Sequence, residues 1–326
     1  MQDYKVGVRS RLLRYLASRL ALAASTAVFV AVVVFFAIHT LPGDPAMNVL
    51  GTNSTPEQRA ALRQVMGLDR PLPVQFFIWL GHIVTGDLGY SFSQARPVSE
   101  VVTPALTNTL LLGGCASLLA IGLGLVMGNL ATSGSRVVRR ATDWFEAIFL
   151  SAPQYAVSLV LLIVFAVVWH VFPAGGLSSL GGSGAADTAS HLVLPSIALA
   201  LAPGAQMARS LKTSIATLQA TELLPALRGR GLSLLRLALH AHHNALPPMV
   251  TVMGIQVGGM LGGALFVETI FSIPGLGNLI VQSVSLRDYQ LVQGAALIIA
   301  VLFIVVLLVS DLLNALLDPR LRVRVL

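Results

Sequence analysis

Arginine and glycine alternate at one place in this chain, Arg228-Gly229-Arg230-Gly231, and Arg236 follows shortly after. Guanidinium groups at that density can hold anionic headgroups or form the charged part of a docking surface for another protein. Leu223, Leu224, Leu227, Leu232 and Leu235 surround them at mixed helical spacings and would supply apolar anchors. The glycines permit a turn where other side chains would clash. The spacing predicts two short helices joined by a glycine elbow, ending at Pro247-Pro248. Such a unit performs no bond chemistry. What it can do is lie against anionic headgroups or dock a cytosolic partner.

Other patterns suggest chemistry but lack the context it needs. His240 and His243 would share a helix face, yet no carboxylate stands with them and the surroundings are basic, so a polar helix surface fits better than a metal site. Gly181-Gly182-Ser183-Gly184 has the form of an intramembrane serine-protease motif. That reaction needs the serine at a helix start beside a histidine base, whereas Ser183 lies in a glycine- and serine-rich loop. Lys5 and Lys212 are the only lysines, and neither follows a glycine, so a Walker A phosphate loop is excluded. The lone Cys115 rules out an intrachain disulfide or a cysteine metal cluster. Glu146, Glu268 and Asp311 fall near the ends of apolar runs rather than in their middles, which disfavours a proton-relay pump and a stand-alone secondary transporter.

The elements that would position the arginine-glycine elbow follow from composition. The chain has 326 residues, is 55% hydrophobic and only 11% charged, against about 25% charged in an average soluble protein. It reads as an all-α polytopic membrane protein. Apolar runs predict six transmembrane helices at about residues 21–38, 107–130, 144–171, 191–207, 249–270 and 291–313. Pro153 is expected to kink the third. Gly124 and Gly128 have the spacing that lets helix backbones approach closely, and Gly254, Gly258, Gly259 and Gly262 crowd the fifth.

The intervening stretches complete the organisation. Residues 1–20 form a basic, amphipathic leader before a first span at 21–39. Residues 40–104 read as an outer subdomain, with Thr55 capping a helix that opens at Pro56 and ends near Gly67, a second amphipathic helix over 73–84, and a tight glycine-framed connection at Gly86-Asp87-Leu88-Gly89. Residues 105–326 form the core, interrupted by a loop at 210–247. With the N-terminus inside, 16 of the 21 basic residues fall on the inner side. The positive-inside bias therefore predicts that both termini and the basic elbow face the cytoplasm.

The motif set as a whole resembles the inner-membrane permease subunits of ABC importers of the dipeptide/oligopeptide or nickel permease B type. The matching pieces, in order, are Leu41-Pro42-Gly43-Asp44-Pro45, Gly67-Leu68-Asp69-Arg70-Pro71, Gly86-Asp87-Leu88-Gly89, Val267-Glu268-Thr269-Ile270-Phe271, Pro274-Gly275-Leu276-Gly277, Arg287-Asp288-Tyr289, Val292-Gln293-Gly294 and Leu317-Asp318-Pro319-Arg320. Each is weak alone; their shared order is specific.

The resemblance implies a type I importer permease fold with a cytoplasmic coupling helix between helices 4 and 5. Arg228-Gly229-Arg230-Gly231-Leu232-Ser233 looks like the core of the family's coupling motif, with Gly231 at the family glycine. Pro225 and Leu227 depart from that pattern. The implied ATPase-coupling residues are Leu223, Leu224, Arg228, Arg230, Gly231 and Leu232. The implied translocation-path or packing residues are Gly254, Gly258, Gly259 and Gly262. The implied activity is non-catalytic passage of short peptides, or of nickel or glutathione, across a bacterial inner membrane. The expected partners are a second permease, two ATPase subunits that bind the ATP and magnesium, and an extracytoplasmic substrate-binding protein.

Overall fold

The computed structural model describes residues 2–40, 45–51, 54–179, 184–221 and 223–317. These residues are mostly helical. In chain order they form α1 (Gln2–His39), α2 (Pro45–Leu50), α3 (Pro56–Val65), α4 (Leu72–Val84), the strand pair β1 (Tyr90–Ser91) and β2 (Arg96–Pro97), α5 (Val98–Leu130), α6 (Arg136–Ser151), α7 (Gln154–Leu161) running into a π-helical turn (Leu162–Val168), α8 (Ala185–Gln219), α9 (Leu223–Gly229), α10 (Leu234–Ile270), α11 (Leu276–Ser285) and α12 (Tyr289–Leu317). Five helices are long and apolar enough to cross a membrane alone, in α1, α5, α8, α10 and α12. The bent pair of α6 with α7 and its π-helical turn makes a sixth crossing if it counts as one span.

That pair corrects the expected third span. Its two halves meet at 108°, far beyond a kink. Ala152 is extended (φ −74°, ψ 127°), because the ring of Pro153 disfavours helical backbone at the residue before it. The break separates two unlike helices. In α6, Thr142 and Glu146 are buried on one face, while Val137 and Trp144 are exposed on another. The helices around it also run further than the apolar runs suggested. The leader and first span are one helix, α5 begins at Val98, and α8 begins at Ala185. Pro195 and Pro203 stay inside α8, as transmembrane helices allow when neighbours cover the freed carbonyls.

The core is a seam between α5 and α8. Their backbones approach closely enough that a Cβ at Gly124 would run into Met207, and one at Gly128 would come within 2.9 Å of the Leu211 Cβ. From the other side, Gly204 sits against Leu123. Leu112, Ala116, Ala120, Leu199, Met207 and Leu211 are fully buried along this line. The GxxxG spacing of α5 thus does what small residues do in lipid, where close van der Waals contact replaces the hydrophobic effect between helices. α8 is the central helix, with 44% of its most apolar window buried against 11% for α12.

Two buried carboxylates tie distant segments together at the end of the fold where α5 begins. Glu268 near the end of α10 accepts hydrogen bonds from the Thr109 hydroxyl of α5 (2.6 Å) and from the Gly277 and Asn278 amides at the start of α11 (2.7 and 3.1 Å). Those amides are orphan donors of a helix N-terminus, so the acid both satisfies them and complements the dipole. Gly275 must be glycine here, since a Cβ would overlap the Glu268 carboxylate. Asp288 accepts from the Ser91 and Ser93 hydroxyls (2.6 and 2.7 Å) and, through its other oxygen, from the Leu291 amide that opens α12 (3.1 Å). Gln290 accepts from the Tyr90 amide at 2.7 Å. The antiparallel pair Tyr90–Pro97 and Ser91–Arg96, absent from the sequence reading, is held by this second knot.

The segment before α5 follows its sequence signals closely. Thr55 and Gln58 form a reciprocal capping box at the start of α3, and Gly67 ends that region at φ +69°. Asp87 is held below the ordinary carboxylate range by its hydrogen bonds from His82 and the Gly89 amide.

Candidate coupling site

The basic stretch folds as a short helix, an elbow and the start of a long helix. α8 stops at the Ala220 cap, and α9 spans Leu223–Gly229. Pro225 lies in the first turn of α9, where its missing N–H would have no helical partner; the departure from the family pattern is therefore absorbed without breaking the helix. The chain then turns through Arg230, whose amide bonds the Ala226 carbonyl at 3.2 Å, and through Gly231 at φ +75°. That left-handed conformation is the one glycine adopts without strain. Ser233 caps the next helix, its hydroxyl accepting from the Arg236 amide at 3.5 Å.

One expectation fails here. The second helix of the elbow is not short. It passes through Pro247 and Pro248 and continues as the fifth span, so α10 runs unbroken from Leu234 to Ile270. Leu237, Ala241 and Ala245 are buried at successive four-residue intervals, which seats the start of this helix against the core.

The coupling residues named from sequence fall on this unit as follows. Leu223 is 40% exposed. Arg230 and Gly231 are exposed, and Leu232 is half-buried. Leu224 and Arg228 belong to α9, but their side chains lie outside the described residues. Leu227 is half-buried.

Polar contacts around the base of this unit were not singled out from sequence. Lys212 on α8 pairs with Asp143 (2.5 Å) and Glu146 (3.5 Å) on α6. His242 on α10 is hydrogen-bonded to Asn129 on α5, whereas His240 and His243 are exposed. Among the described residues no group of three His, Cys, Asp or Glu side chains is arranged to hold a metal ion. Arg19 on α1 pairs with Asp311 on α12 at 3.1 Å. The signal was present: the acids Asp143 and Glu146 share a face of α6, and Lys212 is one of only two lysines. Ser183 and residues 318–326 lie outside the described residues.

The four named glycines of α10 divide. Cβ atoms at Gly254 and Gly258 would run into Ser310 and Phe303 of α12. Gly259 and Gly262 meet open space, beside exposed Ile255 and Phe266.

The helical core thus carries two buried carboxylate knots at one end and an exposed short helix on a glycine elbow at the other. Comparison with known proteins identifies the class. Residues 120–323 match the family model of the binding-protein-dependent transport system inner membrane component, and residues 12–113 match its N-terminal companion. The chain belongs to this family of ABC importer permeases. It is 36% identical over 313 residues to the glutathione transport system permease protein GsiC of Salmonella typhi, a match covering 95% of this chain and 99% of the relative. It is 33% identical over 340 residues to the dipeptide transport system permease protein DppB of Escherichia coli strain K12, with the same coverage of each chain. Solved inward-facing structures of the MetNI methionine ABC transporter share the fold at 15–16% identity, with TM-scores of 0.54 and 0.51 over 67% of this chain and 96% of theirs.

Proposed function

We propose that this chain is a non-catalytic half of the translocation path of an importer for short peptides, driven by separate ATPase subunits through α9. The observation carrying this reading is the exposed, seven-residue α9, set off from α10 by the Gly231 elbow. Leu223, Leu224, Arg228, Arg230 and Leu232 would make the ATPase contact. Force applied there passes along α10, whose outward Gly259 and Gly262 would face the path or the second permease. Nucleotide and magnesium would be held by the ATPases, since this chain lacks a phosphate loop. The complete assembly would hold a second, different permease, two ATPases and an extracytoplasmic binding protein, with both termini of this chain and α9 cytoplasmic.

The peptide class rests on the names of the two relatives. Glutathione is itself a short peptide, so import of that compound is the second reading, favoured by the 36% identity to GsiC. Nickel import is a third member of the same family. Two measurements test the proposal. Deleting residues 223–233 should abolish co-purification of the ATPases with the permease. ATP-dependent uptake of a labelled dipeptide into proteoliposomes should exceed that of glutathione and nickel. Retained co-purification after the deletion refutes the docking role, and preferential glutathione uptake moves the substrate to the second reading.

A further inference from the structure

Four short motifs far apart in sequence lie away from the elbow, and the fold gathers them around one space. Gly67, Leu68 and Arg70 come from the turn after α3, and Asp87, Leu88 and Gly89 from the approach to β1. Arg287 and Asp288 come from the loop before α12, and Gln293 from its first turns. All line a cavity of about 810 Å³. It lies beside the end of α1 and the start of α5, away from the coupling elbow. Phe35, Ile78 and Trp79 form an apolar wall.

Hydrogen-bonding capacity around this space is uneven. The two carboxylates and the Gln290 oxygen are already engaged. One Asp87 oxygen faces the His82 ring nitrogen at 2.8 Å and the other accepts from the Gly89 amide at 2.9 Å. Both Asp288 oxygens are held by Ser91, Ser93 and the Leu291 amide. Gln290 accepts from the Tyr90 amide. Gln75 and Ser93 also spend their donors within the wall, but three side chains do not. Arg70 and Arg287 form no ion pair among the described residues, and the Nε2 of Gln293, a side chain only 3% exposed, has no hydrogen-bond partner. A buried donor without a partner in a native fold calls for an explanation. We infer that the cavity is a binding site for an oxyanion on an apolar body, a carboxylate or phosphate group held by Arg70, Arg287 and Gln293 with its apolar part against Phe35, Ile78 and Trp79. Its volume suits a small ligand, and guanidinium groups suit carboxylate and phosphate oxygens.

Two sources share that chemistry. One is a phospholipid headgroup, reached past the exposed Phe77 and Val84 of α4. The other is the carboxylate end of a free solute. The assembled importer in phosphatidylcholine nanodiscs distinguishes them. Phosphatidylglycerol is titrated in and retained copies are counted by native mass spectrometry; the dipeptide Phe-Ala is titrated by calorimetry in parallel. Arg70→Gln, Arg287→Gln and Gln293→Leu should each weaken the bound probe about tenfold, while Arg136→Gln, beyond the far end of α5, should not. Arg287 is exposed, so its variant keeps the fold even if the Gln293 variant does not. Retention of phosphatidylglycerol assigns the site to lipid, and binding of the dipeptide assigns it to solute. Binding of neither probe, or binding unchanged in Arg70→Gln and Arg287→Gln, overturns the inference.

Discussion

Glu268 and Asp288 show how single acids can organise a membrane protein without doing chemistry. Each sits where helix N-termini present unsatisfied amides, and each joins segments that are far apart in sequence. Removing such an acceptor strands several buried donors, at about 1–3 kcal/mol each. Glu268→Ala should therefore cost about 3 kcal/mol of stability or more. Glu268→Gln, which keeps one acceptor oxygen, should cost less. Thermal unfolding in detergent, read by the loss of monodisperse protein, checks the order. Asp87 behaves differently because it is exposed. Its depressed proton affinity means its contribution to the connection before β1 is present at neutral pH and lost only as pH falls through that lowered value. Protease sensitivity around Gly86–Gly89 should then stay constant from neutral to mildly acidic pH and rise only in strong acid. The motif residues were legible in the sequence, since Glu268, Gly275 and Asp288 all stand in stretches that carry the family resemblance. Their partners were not, because Thr109, Ser91 and Ser93 are common residue types that gain meaning only from contacts across the fold.

Helices were legible by their apolar runs, and their joints were less so. The α5–α8 seam was announced by Gly124 and Gly128, but the choice of α8 as partner depends on Met207, Ala208 and Leu211 meeting those glycines. Gly128→Leu should separate the two helices and prevent stable expression, measured as the yield of folded permease in membranes. In α10 the glycines give an internal contrast. Gly258→Ala forces a methyl toward Phe303, whereas Gly259→Ala meets open space. The first should lower the unfolding temperature of the isolated permease and the second should leave it unchanged. If Gly259 faces the second permease, its effect will appear only in assembly of the complex. The third span misled the sequence reading because an apolar run with one proline looks the same whether it kinks or breaks. The 108° bend reflects the extended backbone at Ala152. The elbow misled in the opposite direction: Pro247 and Pro248 looked like a boundary but sit within a continuous membrane helix.

At the scale of the whole molecule, the fold has two ends with different chemistry. One gathers the carboxylate knots and the strand pair; the other presents α9 on its glycine elbow, after an α8 that Lys212 ties to Asp143 and Glu146 of α6. α10 connects them, running from Ser233 beside the elbow to Glu268 in the first knot. That continuity is the physical reason motion at α9 would reach the opposite end of the permease. Breaking the Lys212 brace with Lys212→Met should leave ATPase binding intact and reduce the coupling of ATP hydrolysis to uptake, measured as dipeptide transported per ATP. If α9 is where the ATPase pushes, disulfide cross-linking will register it. With Cys115, the one native cysteine, replaced by alanine, a cysteine is placed at Leu223 in the assembled importer and paired with cysteines along the ATPase surface. Efficient cross-links from Leu223→Cys that change yield between nucleotide-free and ATP-bound states are the predicted result. Labelling of Leu223→Cys from the extracytoplasmic side, or no cross-link to the ATPase in any nucleotide state, would rule out ATPase docking at α9.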